Sequence, residues 1–201
     1  MLPVVFLYGD YACPHSYIAD ARLELLASEA RVAITWRPLP TFDRETRRDW
    51  LVLSEDPSLL ESCVEELRRA AAQLGLPFRL PELPPSTQRA LQASEFARDC
   101  GPTEFRRFHR ALFRAVFSDE LDIGDPLVLA EIAEQTGIDS IGLGAALEDG
   151  RYSSTLEEVE AEAARYEITS TPTVLMGKWK LVGAAPLDVL RSTLSLASQS
   201  S

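Results

Sequence analysis

At 201 residues and 46% hydrophobic content, the chain carries enough apolar material for a sizeable core and falls between one large domain and two small ones. A formal charge of -11, from 20 basic and 31 acidic residues, argues against nucleic acid or an anionic membrane as partner. The sequence opens without a basic leader and long apolar stretch, and no window reaches membrane-spanning length, so a soluble, cytoplasmic protein is expected. Three cysteines, Cys13, Cys63 and Cys100, make no even-numbered disulfide framework and have no metal-like spacing with the two histidines, His15 and His109. No metal site is expected, and in a reducing compartment all three would rest as thiols.

Residues 3–8 form an apolar run that reads as a buried strand, and residues 14–29 repeat apolar positions at helical spacing through Ile18, Ala21, Leu25 and Leu26. A second strand is predicted over 32–37, where Val32, Ile34 and Trp36 alternate with Ala33, Thr35 and Arg37 before Pro38 and Pro40. Together these make a strand–helix–strand unit. From 57 to 166 the period is helical. Leu60, Cys63, Val64, Leu67, Ala71 and Leu74 make one stripe, which places Cys63 in the core. Phe105, Phe108, Leu112 and Val116 make another, which leaves His109 on a solvated face among Arg106, Arg110 and Arg114. Cys100, ahead of Gly101-Pro102, is expected to be exposed. Asp125-Pro126 reads as a helix start with Gly137 as its stop, and Thr155 with Glu158 as a capping box. Strand period returns in Thr173–Met176 and Trp179–Val182 around a Gly177-Lys178 turn. A closing helix then carries Leu187, Leu190 and Leu194, with 195–201 as a frayed polar tail.

The chemistry is expected at Cys13, which lies between the first strand and its helix. A cysteine at a helix N-terminus sees unpaired backbone N–H groups and the positive end of the helix dipole, both of which favour thiolate, the reactive form. Pro14 suits the first helical position, and a protonated His15 would add a second stabiliser of the anion. A thiol depressed below its free value is the expectation. The second cysteine of a redox pair is missing: position 16 is Ser16.

The pattern Asp10-Tyr11-Ala12-Cys13-Pro14-His15-Ser16-Tyr17, a long helical insertion, then Ser170-Thr171-Pro172-Thr173-Val174 opening a hairpin and a final helix, resembles the DsbA family of the thioredoxin-like superfamily. The segment 117–139 looks like the insertion of its FrnE-like branch, which is close to 2-hydroxychromene-2-carboxylate isomerases and kappa-class glutathione transferases. The resemblance covers essentially the whole chain. It implies an α/β thioredoxin-like fold from residues 1–56 and 167–201, with a large all-helical insertion, residues 57–166, between the second strand and the closing β-hairpin. It also implies a cis bond at Thr171-Pro172, next to Cys13, and a groove in which Pro14, Tyr11, Thr171 and Pro172 meet substrate.

The implied activity is thiol–disulfide exchange on protein disulfides or glutathione mixed disulfides, with no bound cofactor and glutathione as a potential co-substrate. Ser16 departs from the Cys-x-x-Cys of family oxidoreductases, so Cys13 would act as a single nucleophile, with His15 and Ser16 as its catalytic neighbours. Ser16 stands either as the natural residue of a monothiol variant or as a Cys-to-Ser replacement that would trap a mixed disulfide. Two other readings stay open: a glutathione-dependent isomerase or transferase of small aromatic substrates, and a non-catalytic thioredoxin-like binding module. The oligomeric state, monomer or homodimer, is open as well.

Overall fold

The protein is described here by a computed structural model, which covers residues 3–40 and 57–199. Arg44, Arg47 and Arg48, which the sequence marks as a basic group, lie outside the described residues. Four strands form one mixed sheet in the order β2-β1-β3-β4: β1 Val4–Gly9, β2 Ala33–Pro38, β3 Thr173–Met176 and β4 Trp179–Val182. β1 is central. It pairs parallel with β2, Val4 opposite Ala33 and Gly9 opposite Pro38, and antiparallel with β3, Val5 opposite Met176 and Tyr8 opposite Thr173. Helix α1, Pro14–Glu29, makes the crossover between β1 and β2 that a parallel pair requires.

Between β2 and β3 the described residues form six helices: α2 Pro57–Gln73, α3 Gln88–Cys100, α4 Pro102–Phe117, α5 Pro126–Thr136, α6 Ser140–Glu148 and α7 Ser153–Arg165. The closing helix, α8, spans Leu187–Gln199. Val5 and Leu7 of β1, Trp36 of β2, Leu91 of α3 and Phe113 and Phe117 of α4 belong to one continuous apolar cluster, so the sheet and the helical block share a core.

Local signals account for most boundaries. Asp125 caps α5 by accepting the Leu127 N–H at 2.8 Å, and Gly137 ends it in the left-handed region at φ 82°. Asp139 caps α6 in the same way through the Ile141 N–H, a start the sequence reading missed. Two boundaries differ from expectation. Helix α7 begins at Ser153, so the Thr155–Glu158 pair lies inside the helix and caps nothing. Helix α8 runs through the supposed tail as far as Gln199, with the Ser195 and Ser198 hydroxyls donating to the carbonyls of Arg191 and Leu194.

Two side chains expected on opposite sides of the surface exchange places. Cys63 is exposed: it shares the face of Leu67 and Ala70, but among the described residues the packed side chains of α2 begin at Leu67, one turn further along the helix. His109 is buried, 4% exposed. It stands four residues after Phe105 and four before Phe113, on their face of α4, and both rings pack against it. Its Nδ1 pairs with the Tyr11 hydroxyl at 2.7 Å and its Nε2 with Asp20 at 3.2 Å, so both ring nitrogens have partners. Replacing His109 with alanine leaves a cavity among the rings and takes a hydrogen-bond partner from both Tyr11 and Asp20, and is expected to cost roughly 2 kcal/mol or more, read as a lower denaturant midpoint.

Candidate active site

Cys13 is the N-cap of α1, with extended backbone at φ -88° and ψ 112°, and Pro14 follows at the first helical position. The turn is closed by the Cys13 N–H donating to the Asp10 carbonyl at 3.1 Å and by the N–H groups of Ser16 and Tyr17 donating back to the Cys13 carbonyl. Gly9, the last residue of β1, has no room for a side chain: a Cβ there would stand 2.4 Å from the Trp36 ring and 3.2 Å from Ser16 Oγ. That close approach lets the Trp36 indole and the serine hydroxyl both reach the turn.

The two sequence motifs meet in space. The peptide between Thr171 and Pro172 is cis, and the Cys13 thiol donates to the Thr171 carbonyl at 3.4 Å. Pro14 and Pro172 are buried beside the thiol, and Thr171 is half-buried. Ser16 is fully buried; its Oγ accepts the Asp10 N–H at 3.3 Å, which leaves the hydroxyl proton for the sulfur of Cys13. Tyr11 does not line a groove. It is 0% exposed and packs among Trp36, His109 and Phe113, so its expected contact with substrate is replaced by a structural one.

The electrostatics also depart from expectation. Burial pushes the Cys13 thiol up, against the Ser16 hydroxyl, the Ser16 backbone N–H and the Thr171 side chain, which pull it down; the Asp10 carboxylate adds to the upward push. The thiol is 5% exposed, and loss of water outweighs the donors at the helix start. His15 is exposed on the rim, yet partial desolvation of its ring lowers its pKa, with Glu66 of α2 opposing. A neutral imidazole is thereby favoured, and the second stabiliser expected from a protonated His15 is weakened. Ser16 is therefore the strongest local support of the thiolate. Ser16→Ala is expected to move the midpoint of Cys13 alkylation to higher pH and to slow alkylation at neutral pH by about three- to tenfold, measured by mass spectrometry of the Cys13 peptide.

Cys100 is exposed, as its position before Gly101-Pro102 implies. Arg110 pairs with Glu24 at 2.8 Å and Arg114 with Asp119 at 3.5 Å on the surface. Among the described residues, no three histidine, cysteine or acidic side chains gather as metal ligands, and no helix is long and apolar enough to cross a membrane.

The model of the DSBA-like thioredoxin domain matches residues 4–195. The chain belongs to that family. An uncharacterised protein of Bacillus subtilis strain 168, YwbO, is 26% identical over 196 residues, which is 94% of each chain. A probable DsbA oxidoreductase from Streptomyces coelicolor superposes with a TM-score of 0.86 at 23% identity, over 98% of this chain and 90% of that one. A 2-hydroxychromene-2-carboxylate isomerase superposes at 0.81 and 19% identity, over 98% and 97%. At these identities the likeness of the solved structures is one of fold. This DsbA-like chain thus has both oxidoreductase and isomerase structures as neighbours, the pairing the sequence resemblance implies.

Proposed function

We propose that this DsbA-like protein catalyses thiol–disulfide exchange through one nucleophile, Cys13, on protein disulfides or glutathione mixed disulfides. The observation that carries the reading is the placement of the thiol between two motifs distant in sequence: Ser16 on one side, and the Thr171 carbonyl at 3.4 Å, beside Pro172, on the other. In the proposed cycle the Cys13 thiol loses its proton as substrate docks. The thiolate attacks one sulfur of the substrate disulfide, and the other sulfur leaves as a thiol. Ser16 supplies a hydrogen bond to the attacking anion but has no sulfur with which to resolve the adduct, so glutathione thiolate attacks the mixed disulfide and restores Cys13. Thr171, with backbone beside the thiol, is the natural contact for an extended peptide or for glutathione.

Two observations favour a second reading, glutathione-dependent isomerisation or transfer on a small aromatic molecule: the absence of a second cysteine at position 16 and the isomerase fold neighbour. Incubation with a glutathione disulfide separates the two. Exchange predicts a stoichiometric adduct at Cys13 that free glutathione removes. Saturable glutathione binding without any such adduct would replace it with the isomerase reading. A cytoplasmic site of action is part of the proposal and agrees with reliance on glutathione as the resolving thiol.

A further inference from the structure

β2 is an edge strand, and the described residues leave part of its outer side open. On the side of β1, the Ala33 N–H donates to the Pro3 carbonyl at 3.0 Å and the Leu39 N–H to the Gly9 carbonyl at 2.9 Å. Successive residues of a strand turn their main-chain groups to opposite sides, so residues 33, 35, 37 and 39 serve β1 while 34, 36 and 38 face outward. Trp36 agrees with that sense, because its carbonyl accepts the Arg98 guanidinium of α3 at 3.0 Å. Pro38, which has no N–H to leave unpaired, also stands on the outer side. The Ile34 N–H and C=O and the Trp36 N–H have no hydrogen-bond partner among the described residues. Strand edges are commonly blunted by charge, by proline or by a covering element. Here Arg98 and Pro38 guard the upper end, whereas Val32-Ala33-Ile34-Thr35 carries neither charge nor proline and is rich in β-branched residues.

That stretch borders a cavity of about 860 Å³, a size typical of ligand clefts. The cavity takes in Ala33 as well as Val32, Ile34 and Trp36. Neighbouring side chains of a strand point to opposite faces, so the cavity wraps the strand edge instead of covering one face. Helix α4 supplies part of the opposite wall, including Phe105 and Arg106. The other charged side chains around the cavity are paired: Glu24 with Arg110 at 2.8 Å, Asp20 with His109 at 3.2 Å and Arg98 with Glu95 at 2.9 Å. Arg106 is exposed and has no ion-pair partner among the described residues. The cleft thus offers a row of main-chain donors and an acceptor, an apolar strand edge and one unmatched cation. We propose that it binds an extended peptide segment as an added strand beside β2, with an apolar side chain next to Ile34 and an acidic side chain, two residues along, on Arg106. A recessed edge admits a single extended chain, whereas a second copy of the protein would have to bring an edge walled in the same way. The site is separate from the thiol: Ala33 pairs with Val4 at the start of β1, and Cys13 comes after the end of that strand.

The probe is the end-blocked pentapeptide Thr-Val-Thr-Glu-Thr, compared with the same peptide carrying Gln in place of Glu, and binding to the full chain is followed at its backbone amides by NMR. Saturable binding is expected, with slowed hydrogen exchange at the Ile34 amide. Ile34→Pro removes the outward N–H without taking a bond from β1, and is expected to weaken the Glu peptide about fivefold or more. Arg106→Gln, at an exposed side chain, is expected to weaken the Glu peptide about two- to fivefold and to leave the Gln peptide unaffected. Should Ile34→Pro fail to fold, the Arg106→Gln comparison decides alone. Binding that ignores these substitutions, or no saturation up to millimolar peptide, overturns the proposal. So does an Ile34 amide whose protection in the peptide-free protein rises with protein concentration, which would give the edge to a second copy of the chain. Cys13→Ala is expected to bind the peptide as the natural protein does, so loss of this site and loss of the exchange activity are read separately.

Discussion

Cys13→Ala is expected to bring disulfide exchange to background while leaving the fold intact, and Ser16→Cys to change the kinetics in the opposite sense. The sulfur of Cys13 is the single thiol flanked by both Ser16 and Thr171; Cys63 and Cys100 are exposed on α2 and α3. Removing it leaves no nucleophile in the site, and a side chain 5% exposed vacates only a small, apolar space. Ser16 already stands in hydrogen-bonding relation to the sulfur, so a cysteine there would meet it as a resolving thiol. Attack on the mixed disulfide would then be intramolecular, and the adduct with glutathione should survive about ten- to a hundredfold less long than in the natural protein at millimolar glutathione. Rapid acid quenching and intact-mass measurement give both numbers. An adduct of equal lifetime in Ser16→Cys would show that position 16 does not face the reacting sulfur.

Phe113→Ala is the substitution expected to cost most stability, about 3–5 kcal/mol. The ring is 1% exposed and packs edge-on against Tyr11 at 4.9 Å and Trp36 at 5.7 Å, and stacked against Tyr17 at 5.4 Å. It also meets His109, which fixes the Tyr11 hydroxyl. These contacts join α4 to β2 and to both tyrosines that flank the Cys13 motif, so the loss combines a cavity with slackening of the active-site turn. Chemical denaturation should show a lower midpoint with an unchanged slope, and alkylation of Cys13 should become less selective in the same variant. A loss below about 1 kcal/mol would mean that α4 is not the buttress of the site.

Much of the architecture was legible because local signals agree with the tertiary outcome. The apolar run 3–8, the helical period of 14–29 and the turn at Gly177-Lys178 each point to the element that forms, and α1 begins at Pro14 as its sequence implies. Thr171-Pro172 was placed beside Cys13 by resemblance, not by any property of the dipeptide, and the hydrogen bond from the thiol bears that out. What escaped depends on partners far along the chain. His109 looked solvated among arginines, yet Tyr11 and Asp20, 98 and 89 positions earlier, take both of its nitrogens. Its spacing of four from Phe105 and from Phe113 was the available signal. Tyr11 flanks the motif and so reads as a groove residue, but the aromatic cluster of α4 claims it. The balance at the thiol differs from expectation for another reason. Helix start and proline are readable from sequence, but the burial that outweighs them arises only when the distant motif and the helical block close over the turn.

The central claim is that Cys13 is the exchanging thiol, and site-resolved reaction with glutathione disulfide tests it most directly. The protein is incubated across a pH series, quenched in acid, digested and mapped by mass spectrometry at Cys13, Cys63 and Cys100. The account predicts an adduct that forms first at Cys13, grows with pH through a midpoint above that of an ordinary thiol, and is reversed by free glutathione. Adducts confined to the exposed Cys63 and Cys100, with Cys13 unmodified throughout, would contradict it.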